Sequence, residues 1–276
     1  MRILAGWESS KPHPSRDDTP FLSLLTLELA VGRLGRGSTR QLADRWSCES
    51  LHTSCPSRSQ ATSNENRVLR YSLKVHCSSP PRDRALVQIV DSALADAARR
   101  SGEWLVCRPG CTQCCIGVFP INSLDVIRLR EGLANLTDSA PQRAHRVRKR
   151  AREAVSRLSK EFPGDPATGL LDEGDEAEQR FAKFANEEPC PALDPETGLC
   201  ELYEARPMTC RVFGPPVRSE DGLGVCELCF QGATDAEIAA CEMNPDPDDL
   251  ESALIAELEK ATGARGHTIV AFCLAS

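Results

Sequence analysis

CRPGCTQCC (residues 107–115) and CPALDPETGLCELYEARPMTCR (residues 190–211) decide how this chain is read. The first puts Cys107, Cys111, Cys114 and Cys115 in a C-x3-C-x2-C-C pattern, and the second places Cys190, Cys200 and Cys210 ten residues apart. Thiolates hold soft and borderline metals well, provided several converge on one point. Close spacing lowers the entropy of that convergence. Pro109 and Gly110 can turn the loop so that Cys107 and Cys111 face one ion. A helix starting near Cys111 would put Cys111, Cys114 and Cys115 at i, i+3 and i+4, on one face. Residues 194–198 (DPETG) read as a turn between two short runs, 191–193 and 199–203. That hairpin would bring Cys190 and Cys200 together.

Neighbouring side chains on a helix diverge by about 100°, so Cys115 can serve the same ion as Cys114, a second ion, or packing. Disulfides within so short a loop would be strained. His13, His52, His76, His145 and His267 all lie outside the two groups. An all-thiolate site is therefore expected, holding either an iron–sulfur cluster or Zn2+. Several thiolates in one place carry negative charge, which Arg206 and Arg211 would offset while donating N–H bonds to sulfur. The alternative for these arginines is an ordinary salt bridge. Cys226 and Cys229 form a C-x2-C pair that can complete a second site, act as a redox dithiol, or be structural. Cys241 and Cys273 stand alone and read as core residues.

The spaced cysteines, together with Tyr203, Arg206-Pro207 and Cys210-Arg211, resemble the YkgJ-type cysteine-cluster family, over residues 83–230. The resemblance implies a bacterial zinc- or iron-chelating protein, often labelled an Fe–S oxidoreductase. It implies Cys107, Cys111, Cys114, Cys115, Cys190, Cys200 and Cys210 as metal ligands, with Tyr203, Arg206 and Arg211 in the cofactor-binding set. The cofactor would be a cluster, of the 4Fe-4S type among others, or zinc. Flagellin lysine methylases carry a similar cysteine-rich domain, so an S-adenosylmethionine-dependent transferase is a second implied class. A zinc-stabilised interaction module without catalysis is a third. C-x3-C-x2-C also matches the cluster loop of radical S-adenosylmethionine enzymes. Here, however, Gln113 stands where those usually have an aromatic, and no alternation of strand and helix follows. No dinucleotide fingerprint or phosphate loop is visible, so an oxidoreductase would need an electron-transfer or protein partner.

Fourteen cysteines in 276 residues mean either disulfides in an oxidising compartment or metal ligands in a reducing one. The start of the chain lacks the features of a secretion signal, since its leucine-rich run, residues 21–31, follows Asp17 and Asp18. That run is also too short for a bilayer. A cytoplasmic protein without membrane contact is expected. The net charge of −7 argues against general nucleic-acid binding.

Residues 1–80 are basic and hold 14 serines against 9 in all that follows, without helical or strand period. They read as a disordered extension, and residues 81–276 as the cysteine-cluster domain with a helical C-terminal part. The expected class is α+β: a mostly helical small domain with short hairpin strands around a thiolate metal site. Apolar spacing predicts helices over 83–101, after Asn122 or Ser123, over 141–160 with Asp138 or Ser139 as cap, over 175–185, after a capping box at Thr234–Glu237, and from Pro247. Residues 118–119 read as a strand and 267–274 as a β-prone tail. The basic helix at 141–160 reads as a solvated face docking on the acidic segment 172–178.

Overall fold

Asn122 closes the start of a helix by accepting the backbone N–H groups of Leu124 and Asp125, each at 3.0 Å. That helix, α2 (Ser123–Ser139), and α3 (Pro141–Leu158) form a packed pair joined by Ala140 alone. Pro141 starts α3, where its missing N–H costs nothing, and no side chain caps the end. The cap expected at Asp138 or Ser139 is therefore replaced by proline, because both residues still belong to α2. The computed structural model describes residues 79–219 and 222–276; the extension expected over residues 1–80 lies almost wholly outside them.

Ahead of this pair runs α1 (Asp83–Ser101), ended by Gly102 at φ 50°. After it come β1 (Gly164–Asp165) and β2 (Leu170–Leu171), α4 (Asp175–Phe181), α5 (Met208–Arg211), β3 (Val217–Ser219) and β4 (Gly222–Gly224), α6 (Asp235–Ala240), α7 (Leu250–Thr262) and α8 (Val270–Ala275). Both strand pairs are antiparallel hairpins, with Gly164 opposite Leu171 and Val217 opposite Gly224. The class is α+β with helices dominant, as expected. No helix among the described residues is long and apolar enough to cross a membrane.

Three apolar clusters hold the elements together. α2, α3 and α8 share one, built on Val126, Leu129, Val147, Ala151, Val270 and Leu274. The apolar stripe of α3 is largely alanine, so its neighbours approach closely while its arginines stay at the rim. Leu86 and Val90 of α1 meet Leu124, Met208, Met243 and Leu254 in a second cluster. Leu254 is completely buried, and truncating such a leucine costs about 2–5 kcal/mol. Phe162, Phe184 and Phe272 form the third, with ring centroids 5.9 Å and 4.6 Å from Phe162.

Several expectations need correction. The stretch 118–119 makes no strand of its own; the chain there touches its neighbours through single bridges, Ile116 to Pro189 and Ile121 to Thr268. The tail expected as β contributes only that Thr268 bridge and then coils into α8. Its β-branched residues favour strand locally, but burial of Val270, Ala271 and Leu274 decides for helix. α7 starts three residues after Pro247, where the Asp246 carboxylate accepts from Leu250 and Glu251. α4 is shorter than expected, with Gly174 at its N-cap. The capping box at Thr234 and Glu237 is present in full.

Candidate metal centre

A backbone hydrogen bond joins the two cysteine groups: Cys190 N donates to Cys115 O at 2.8 Å. The adjoining bridge between Ile116 and Pro189, and Gly117 N to Glu188 O at 2.9 Å, continue the contact. The hairpin expected after Cys190 is present in reduced form, with Leu193 bridged to Cys200 and Asp194 N donating to Leu199 O. Gly198 at its turn lies against Gly110 and Thr112, so the tip of the second group rests on the loop of the first.

The helix expected from Cys111 does not form. Cys111 closes a turn onto Arg108 O, and residues Gln113–Cys115 make one 3-10 turn that ends at Ile116. Neighbours in a 3-10 turn are about 120° apart, yet the Cys114 and Cys115 side chains still meet. Their thiols are hydrogen-bonded to each other, which pulls Cys114 down to about 7 and pushes Cys115 well up. Cys114 is the hub of the group: its charge acts on Cys115, Cys190, Cys200 and Cys210. Burial pushes Cys190 up to about 12, and raises Cys200 and Cys210 as well. Backbone N–H groups offset part of this by donating to sulfur, from Ala192 and Leu193 to Cys190 and from Leu202 to Cys200. Such bonds favour the thiolate a metal needs.

Cys107 goes elsewhere. Its sulfur is 3.8 Å from that of Cys229 and hydrogen-bonded to Cys226. Sequence spacing had grouped Cys107 with Cys111; the turn at Pro109-Gly110 exists, but Cys107 faces across to a pair more than a hundred residues away. The C-x2-C spacing was the one signal that pointed there. Trp104, Leu105, Phe213 and Phe230 pack around this second set, together with buried Cys241. Cys273 is buried with α2 and α8, as a core residue. All eleven described cysteines are free thiols.

Of the two arginines, Arg206 lies on the side of the thiols. Its charge acts on both Cys114 and Cys200, and its guanidinium carbon sits 3.9 Å above the Tyr203 ring. Arg211 is 1% exposed and pairs with Asp91 of α1 at 2.8 and 3.0 Å, and with Glu204 O. It pins α5, and Cys210 with it, to α1. Its Nε is buried without a hydrogen-bond partner, one residue from Cys210.

A buried network unmarked by any motif also positions Cys210. Asp83, Asp125 and Arg128 are ion-paired at 2.5 and 2.8 Å, all but inaccessible to solvent. Asp125 in addition accepts Met208 N at 3.0 Å, at the start of α5. On the far side of the hairpin, Glu201 is buried and ringed by Arg143, Arg146 and Arg150, while Glu188 pairs with Arg157. The basic face of α3 is thus matched to the cysteine hairpin, and Asp172 of the acidic segment pairs with Arg180 instead.

An α+β domain whose loops gather thiols from distant parts of the chain, with backbone N–H groups aimed at the sulfurs, is a cysteine-cluster metal-binding domain. Residues 106–229 match the CxxCxxCC family model, described as a "putative zinc- or iron-chelating domain". The stretch takes in both cysteine groups and the Cys226–Cys229 pair. No curated protein and no solved structure matches the chain.

The residues fit such a metal by donor chemistry and by the N–H to sulfur bonds. Among the described residues no three Cys, His, Asp or Glu side chains already stand in ligand geometry. Binding a metal there would require the thiols to draw closer together.

Proposed function

We propose that the group centred on Cys114 holds an iron–sulfur cluster, of the 4Fe-4S type, in an electron-carrying component of an oxidoreductase. The observation that carries this reading is the contact that brings the two cysteine groups together, Cys190 N to Cys115 O at 2.8 Å with the Gly198 turn resting on Gly110. The ligands are drawn from Cys111, Cys114, Cys115, Cys190, Cys200 and Cys210. Bound there, the cluster would supply one-electron chemistry.

The chain's own residues do the rest. Arg206, steadied by Tyr203 and by Asp91 at 3.6 Å, offsets thiolate charge. Ala192, Leu193 and Leu202 give N–H bonds to sulfur, which raise the reduction potential of thiolate-bound iron. Arg211 and Asp125 fix the position of Cys210. Free thiols suit the cytoplasm, and electrons come from a protein partner. Zinc is the second reading for the same donors, since an all-thiolate set serves either metal.

Anaerobic purification followed by iron, acid-labile sulfide and zinc analysis tests the reading. It requires iron and sulfide together, with a broad visible absorption that bleaches on reduction. Zinc alone, without sulfide or colour, overturns it.

A further inference from the structure

We infer that Cys107, Cys226 and Cys229 form a second, mononuclear thiolate site for a zinc-type divalent ion, separate from the centre around Cys114. The inference rests on the reading of residues 106–229 as a thiolate metal domain, and divides its cysteines between two sites of different kind.

The geometry is specific. Metal–sulfur bonds of about 2.3 Å in a tetrahedron give sulfur–sulfur edges of about 3.8 Å. Cys107 and Cys229 stand 3.8 Å apart, with Cys226 hydrogen-bonded to Cys107. That spacing is the one two thiolates adopt on a single tetrahedral ion, so little movement separates the free thiols from a bound state. Binding replaces the protons these sulfurs share and draws in the third.

The loops are built for thiolates. Cys229 N donates to Cys226 O at 2.9 Å, closing the C-x2-C turn, and the N–H groups of Leu228 and Cys229 reach the Cys226 sulfur. Val106 N–H reaches the Cys229 sulfur from the opposite strand of chain. Phe230 N to Trp104 O, at 2.9 Å, locks the two loops together. Gly214, at φ 121°, leaves room for the Cys107 sulfur, which a Cβ there would approach to 3.1 Å. Aromatic residues cover the inner side, while Cys107 is exposed. The fourth position therefore faces solvent and takes water or a small anionic or thiol ligand, as in metal sites with three protein donors.

Cobalt(II) titration of the reduced, metal-free full chain under anaerobic conditions tests this. Tetrahedral thiolate cobalt shows intense visible d–d bands and near-ultraviolet charge transfer. Cys200→Ser is expected to keep one such cobalt, and Cys200→Ser with Cys226→Ser to lose about one equivalent relative to it. Cys229→His, which restores a donor, should keep the ion with altered bands even if Cys229→Ser folds poorly. The inference is overturned if Cys226→Ser leaves cobalt uptake unchanged, or if Cys200→Ser alone abolishes every thiolate band, which would mean a single shared site. Absence of iron and sulfide from the purified protein would defeat the cluster reading and leave these cobalt results unaffected.

Discussion

Replacing Arg128 with methionine leaves Asp83 and Asp125 buried without the cation between them. The three side chains are 4%, 5% and 3% exposed, so water cannot take over its role. Glu251, 3.7 Å from Arg128, adds a further negative charge. Breaking a buried pair from one side costs about 3–5 kcal/mol. Protonation sets a ceiling: neutralising a carboxylate of ordinary aspartate pKa at pH 7 costs about 4 kcal/mol. Burial already raises the pKa of Asp125, and Arg128 is the chief opposing influence, so the variant raises it further. A carboxyl with a raised folded pKa destabilises above that pKa, and the penalty fades as pH falls toward the unfolded value. A loss of about 4 kcal/mol corresponds to a Tm lower by about 8–16 °C in a domain of this size. Urea and thermal unfolding with chelator present, at pH 8 and at lower pH, measure both effects. Because Asp125 also seats Met208 N and thereby Cys210, metal affinity should fall alongside. A loss under about 1 kcal/mol, or a deficit independent of pH, would refute the reasoning.

Gly132→Ala should destabilise despite the better helix propensity of alanine. Its Cβ would lie 2.3 Å from that of Ala205, forcing away the turn that leads to Arg206 and Cys210; a drop in both Tm and metal affinity checks this. Metal uptake should release protons, because the high pKa of Cys190, about 12, keeps that thiol protonated at neutral pH. Affinity should therefore weaken as pH falls, and calorimetry in buffers of different ionisation enthalpy reads the proton count. Removal of residues 1–77 should leave metal content and Tm unchanged, provided Ser79 is kept, since its N and Oγ both bond Glu131 at 2.7 Å. A large loss of either would tie the first part of the chain to the domain.

What was legible in the sequence was mostly local. Asn122 and the Thr234–Glu237 box cap helices through groups two or three residues away, so short motifs suffice. The hairpin after Cys190 follows from its Asp-Pro and Gly residues, and the thiolate chemistry from the density of cysteines. The partition of the cysteines was not legible. Cys107 chooses between Cys111, four residues on, and Cys229, 122 residues on, and only packing around Trp104 and Phe230 decides. Arg211 gave the same difficulty: its place beside Cys210 suggested a sulfur contact, but Asp91 on a distant helix takes the guanidinium. The Asp83–Arg128–Asp125 network has no motif at all, because its members come together only once α1 lies against α2. For α8, β-branched residues argued for strand, and a crevice between α2 and α3 that fits a helix settled the matter.

Metal content per chain in the Cys114→Ser variant, set against the Cys273→Ser variant, tests the central claim most directly. Cys114 acts electrostatically on four other thiols, while Cys273 is packed in the apolar cluster shared by α2, α3 and α8. After anaerobic purification, Cys114→Ser should have lost the iron and sulfide of the main centre, and Cys273→Ser should match the unmodified chain. Undiminished metal in Cys114→Ser would contradict the account.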